Sequence, residues 1–129
     1  MKYTKKDKKK LVADCEIIKR QLGMDTMHVD YWFRKKEGYS LADCLMYVWG
    51  WKTRITFYDR FFQADEELQK FTIIHEFVHA AMVPFDSQVE TVADGLLKKH
   101  QANARHNLRT AREIVVDRLA GAFKALIEK

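Results

Sequence analysis

One proline and five glycines in 129 residues leave few places where this chain can turn sharply. That scarcity argues against an all-β fold with many tight turns, and against long irregular loops. The two cysteines, Cys15 and Cys44, share no C-x-x-C spacing. A disulfide framework is therefore not expected, and a reduced intracellular protein is the economical reading. Clean apolar runs last only a few residues, far short of the 18 or so that cross a bilayer. No apolar stretch follows the N-terminal lysines to serve as a secretory signal, so a cytoplasmic, membrane-free protein is expected. Arginine-rich stripes and interleaved aromatics are lacking too, which leaves a nucleic-acid partner with little support.

What is present is ordinary for a folded protein: 47% hydrophobic and 32% charged residues, enough for one core and hence one domain over residues 1–129. The formal net charge is +5, with Lys2, Lys5, Lys6, Lys8, Lys9 and Lys10 gathered in the first ten residues. Two readings fit that cluster. It is a solvated, frayed helix start behind a flexible basic arm, or it contacts an anionic partner such as nucleic acid.

Leu11, Val12, Cys15, Ile18 and Leu22 recur at spacings of three and four and predict an amphipathic helix ending at Gly23. Met27 to Phe33, rich in aromatic and β-branched residues, predicts a strand followed by a turn at Lys36-Glu37-Gly38. Leu45–Trp49 and Ile55–Tyr58 predict two more strands, connected by Gly50 to Arg54. A sheet of about three strands is expected, antiparallel where short turns join neighbours. After Gln63 the chain reads as helical. Asp65 and the glutamates behind it suit a helix N-terminus, and an apolar stripe through Leu68, Phe71, Ile74, Val78, Ala81 and Met82 is expected to stop before Pro84. Ser87-Gln88-Val89-Glu90 has the capping-box pattern and predicts a second helix start. A last amphipathic helix is expected over Leu108 to Ile127, with Ile114, Val115, Leu119, Phe123 and Leu126 on one face. The fold class is α+β.

His75-Glu76-Phe77-Val78-His79 falls inside the first of these helices. One helical turn puts both imidazoles on the same face, near enough to share one metal ion, and zinc suits such a pair. Glu76, offset by one residue, lies beside the ion, where a carboxylate can take a proton from a metal-activated water. H-E-x-x-H arises by chance in roughly one chain in a hundred of this length, so the spacing alone is weak. The helical context and apolar neighbours strengthen it, because histidines and a glutamate in a core helix are costly unless something satisfies them.

A catalytic zinc needs a third protein ligand. Glu90, at the start of the expected next helix, is the leading candidate, provided the turn through Val83-Pro84-Phe85 folds that helix back. The competing role for Glu90 is membership of its own capping box. Asp94, one turn on, would accept the second ring proton of a liganding histidine, His75 first. Asp86, His100 and His106 are fallback ligands. A donor to a reacting oxyanion would come from Tyr58 or an earlier residue, from His100, His106 or an arginine, or from none of these.

H-E-x-x-H followed by Glu90-Thr91-Val92-Ala93-Asp94 resembles the gluzincin metallopeptidases. The E-x-x-A-D string is most like that of the CAAX prenyl endopeptidase and heat-shock protease family. Its E-x-x-A part is similar to the phage-repressor-cleaving metallopeptidases, and strands ahead of the motif helix resemble SprT-like domains. The resemblance implies a zincin-like fold and a zinc peptidase acting on a peptide or protein, with His75, His79 and Glu90 as ligands, Glu76 as base and Asp94 behind them. It also implies that Ile55 to Arg60 would pair with an extended substrate. The competing expectations are a catalytically silent regulatory protein on the same scaffold, contacting nucleic acid through its lysines, and a domain whose zinc is purely structural.

Overall fold

The computed structural model describes residues 3–35, 38, 40–46, 52–96 and 98–129, except the side chains of residues 46, 84–87, 89 and 93. In chain order the elements are α1 (Lys5–Gln21), β1 (His28–Arg34), β2 (Ala42–Met46), β3 (Lys52–Tyr58), α2 (Asp59–Gln63), α3 (Glu66–Asp94) and α4 (Lys98–Ile127). The class is α+β, as expected. Among the described residues, no helix is long and apolar enough to cross a membrane.

α1 begins within the lysine cluster. The Thr4 hydroxyl accepts from the Asp7 N–H at 3.1 Å, and the Asp7 carboxylate accepts from the Thr4 N–H at 2.7 Å. This reciprocal cap, worth about 1 kcal/mol, starts α1 at Lys5, so that Lys5 to Lys10 lie in its first turns. Lys8 lies over the rings of Tyr3 and Phe33, at 5.1 and 5.2 Å. Lys2 lies outside the described residues.

The three strands take the order β1-β3-β2. β2 runs antiparallel to β3, as the short connection suggested, whereas β1 runs parallel to β3, with Tyr31 opposite Ile55 and Phe33 opposite Phe57. β3 holds the centre and is deeply buried, with Ile55 and Phe57 fully buried and a neighbouring strand on each edge. β2 is shifted toward the N-terminus relative to the expected Leu45–Trp49. Tyr47, Val48 and Trp49 lie outside the described residues, as do Lys36, Glu37 and Gly50 of the expected turns.

α3 starts where the acidic residues suggested, with the Asp65 carboxylate accepting from the Leu68 N–H at 2.8 Å. It does not stop before Pro84. It runs through Pro84 and through Ser87, where a new helix was expected, and ends at Asp94. Proline forfeits one backbone hydrogen bond and crowds the preceding turn. That local cost is set against a firmly packed helix: Ile73, Ile74, Phe77, Val78 and Ala80 are all buried in one core with Leu11, Cys15, Ile18, Val29, Ile55 and Phe57.

α4 returns along α3 and packs on it through the fully buried Val116 and Ala120. The apolar residues expected to form its core face, Ile114, Val115, Leu119, Phe123 and Leu126, are instead exposed. Small and β-branched residues permit the close approach of α3, so the larger side chains are left outside.

Candidate metal centre

The buried stripe of α3 fixes how the motif is presented. Phe77 and Val78 point into the core, which brings His75 and His79 to the helix edge facing α4 and leaves their side chains 18% and 19% exposed. The two rings meet edge to face with centroids 4.7 Å apart, and their Nε2 atoms are 3.1 Å apart. From α4, Glu113 completes a triangle: its carboxylate oxygens lie 3.7 Å from His75 Nε2 and 3.3 Å from His79 Nε2. Asp117, one turn further along α4, accepts from His75 Nδ1 at 2.8 Å.

These distances agree with one another chemically. Zinc ligands held at 2.0–2.1 Å in a tetrahedron are about 3.3–3.4 Å from each other. The observed edges of 3.1, 3.3 and 3.7 Å bracket that value. A proton on His75 Nδ1 directed at Asp117 would leave the Nε2 lone pair, on the side of His79 and Glu113, for a cation. Among the described residues, His75, His79 and Glu113 are the group whose donor atoms all fall within 4.8 Å of one another. Two imidazoles and a carboxylate form a donor set that fits zinc, with room for a fourth ligand from solvent.

Glu76 stands beside this triangle and is 5% exposed. Burial, then the charges of Asp43 and Glu113, push its carboxyl up to about 8. A divalent ion bound by the histidines would act in the opposite direction, favouring the carboxylate. Glu76, His75 and His79 form one wall of an open cleft of about 540 Å³, with Arg112 and Glu113 from α4 and Ala42 to Leu45 of β2 around the rest. Cys44 lies in that lining, but burial pushes its thiol up to about 12, so it is protonated and not a nucleophile.

The expected residues divide into two groups. His75, Glu76 and His79 are brought together. Glu90 and Asp94 are not: both carboxylates grip Arg105 of α4, Glu90 at 3.0 Å from its Nε. The reason is the continuity of α3, since 11 residues of unbroken helix carry Glu90 about 16 Å along the axis from His79. The same continuity removes its capping-box role. His100 and His106 are exposed on α4 and do not line the cleft, and the Asp86 side chain lies outside the described residues. Tyr58 is buried and donates its hydroxyl to Oδ2 of Asp43, a residue of the cleft lining, at 2.5 Å. That bond, more than burial, pushes its phenol up to about 12. Ile55 to Tyr58 lie in the central strand, where both backbone edges are already paired, so the edge bordering the cleft belongs to β2.

Glu113 and Asp117 were the residues that sequence reasoning missed, although a signal for them was present. Glu113-Ile114-Val115-Val116-Asp117 has the same i, i+4 carboxylate spacing as Glu90 and Asp94. Only the helix path decides which pair meets the histidines and which meets Arg105. No family model, curated protein or solved structure matches the chain.

Proposed function

We propose that the chain is a zinc-dependent peptidase of gluzincin type, with His75, His79 and Glu113 as ligands and Glu76 as general base. The observation that carries this reading is the convergence of three neutral-or-anionic donors at tetrahedral spacing beside a buried carboxylate. A zinc ion there would supply Lewis acidity to a scissile carbonyl and acidify a bound water. Asp117 holds the His75 ring in the tautomer that can ligate. Glu76 accepts a proton from the attacking water and returns it to the leaving amine, a role for which its buried position beside the donors suits it. β2, an edge strand among the described residues, borders the cleft and is suited to align an extended peptide by strand addition.

Glu76→Gln separates this reading from a silent or structural zinc protein. Purified zinc-loaded protein is assayed on a peptide library, with zinc content measured alongside. The variant is expected to retain one zinc per chain and its fold while losing at least about 100-fold in turnover. Wild-type protein that cleaves nothing, or a Gln variant as active as wild type, would remove the peptidase assignment.

A further inference from the structure

Three carboxylates border the cleft, those of Asp43, Glu76 and Glu113, and among the described residues Arg112 is the one permanently cationic side chain of its lining. Arg112 immediately precedes Glu113 on α4, and successive residues of a helix point about 100° apart. Glu113 faces His75 and His79, so Arg112 lies to one side of it. Its Nε is 3.9 Å from Glu113 Oε1, too long for a hydrogen bond, and its side chain is 34% exposed. The acids keep their own company: the charges that act on the Glu76 carboxyl are those of Asp43, from β2, and of Glu113.

This distribution decides where the cleft can accept a negative oxygen. Beside Asp43 or Glu76 it meets like charge. Beside Arg112 it meets a planar guanidinium that carries five N–H donors. Peptide hydrolysis creates such an oxygen. As water adds, its oxygen bonds to the carbonyl carbon, the π pair moves onto the carbonyl oxygen, and a water proton passes to Glu76. On collapse the C=O bond re-forms and the C–N pair leaves with the nitrogen, which takes the proton back from Glu76. A donor placed beside the histidine–glutamate triangle stabilises the charge that exists only between these two events. Of the side chains that the sequence offered by name for this task, Tyr58 donates to Asp43, and His100 and His106 do not line the cleft. An arginine remains.

We propose that Arg112 is the anion-binding residue of the cleft and donates to the oxygen that becomes negative in the tetrahedral intermediate. The catalytic half of this proposal rests on the peptidase reading. The binding half, that the cleft holds a tetrahedral anion against Arg112, does not.

The test uses inorganic phosphate as the tetrahedral anion, titrated calorimetrically into the zinc-loaded full chain. Wild type is compared with Arg112→Met, Arg112→Lys and Arg109→Met, with zinc content and circular dichroism recorded for each. Arg109 is exposed one turn before Arg112 and does not line the cleft, so R109M removes the same charge outside the site. Phosphate affinity is expected to fall at least about tenfold in R112M, to fall less in R112K, which keeps the charge but not the fork, and to stay within about twofold in R109M. R112K, the smaller change, carries the same test should R112M lose its fold. On a library peptide that the wild type cleaves, R112M is expected to lose about 100-fold or more in kcat, with KM changed less than about threefold. A wild type that does not bind phosphate, an R112M that binds it equally well, or an equal loss in R109M would overturn the proposal. Lost phosphate affinity with unchanged kcat would overturn the catalytic half. A wild type that cleaves nothing, with phosphate binding still dependent on Arg112, would remove the peptidase reading and support the anion site.

Discussion

Burial and two nearby carboxylates hold the Glu76 carboxyl at about 8 in the metal-free protein, against an ordinary value of 4.5. Between those two values the folded chain keeps a proton that the unfolded chain releases. Its contribution to stability is therefore fully present below about 4.5 and is lost as pH rises toward 8, on the order of 1 kcal/mol for each unit crossed. Chemical denaturation of metal-free wild type and Glu76→Gln from pH 4 to 9 should show the two diverging as pH rises, the glutamine variant becoming the more stable. Parallel curves would mean that Glu76 is solvated. A cation bound as proposed would give the same residue an electrostatic partner, so the cost of the metal-free site and the proposed affinity for a cation would have one origin.

At the scale of elements, the continuity of α3 decides the identity of the third donor. Fifty-odd residues of the sequence are arranged as two long helices joined near Gly95, and each carries an E-x-x-x-D pair. The H-E-x-x-H turn was legible because its apolar neighbours and its spacing agree on one face. The carboxylate that lies beside the histidines was not, because Pro84 and a capping-box pattern at Ser87 both signal a helix break that packing overrides. The order of strands was hidden for a similar reason: local turn signals describe which strands are consecutive, not which one the core draws to the centre. The exposed stripe of α4 misled in the other direction, since its periodicity is genuine but belongs to a face away from α3. Replacing Pro84 with alanine restores the missing N–H in a helix that already passes through it. Thermal or urea unfolding should show a gain of about 1–3 kcal/mol, with zinc affinity unchanged. A loss of stability would mean that the chain turns at that point, and would reopen the case for Glu90.

For the whole molecule, an ion in the proposed site would tie two parts of the fold that otherwise meet through few fully buried residues, Val116 and Ala120 being those of α4. An ion bound by His75 and His79 of α3 and Glu113 of α4 acts as a cross-link that the unfolded chain lacks. Zinc at about 100 times its dissociation constant should add about 2.7 kcal/mol, which for a domain of this size raises Tm by roughly 10 °C. A calorimetric scan with and without chelator reads this directly, and a Tm indifferent to zinc would separate the two helices energetically.

The choice of third ligand is tested most directly by zinc affinity, measured by competition with a chromogenic chelator, in wild type, Glu113→Ala and Glu90→Ala. The arrangement of α3 and α4 predicts one tight site in wild type, an affinity at least about 100-fold weaker when Glu113 is removed, and a value within twofold of wild type when Glu90 is removed. The reverse pattern, with Glu90 required and Glu113 dispensable, would contradict it.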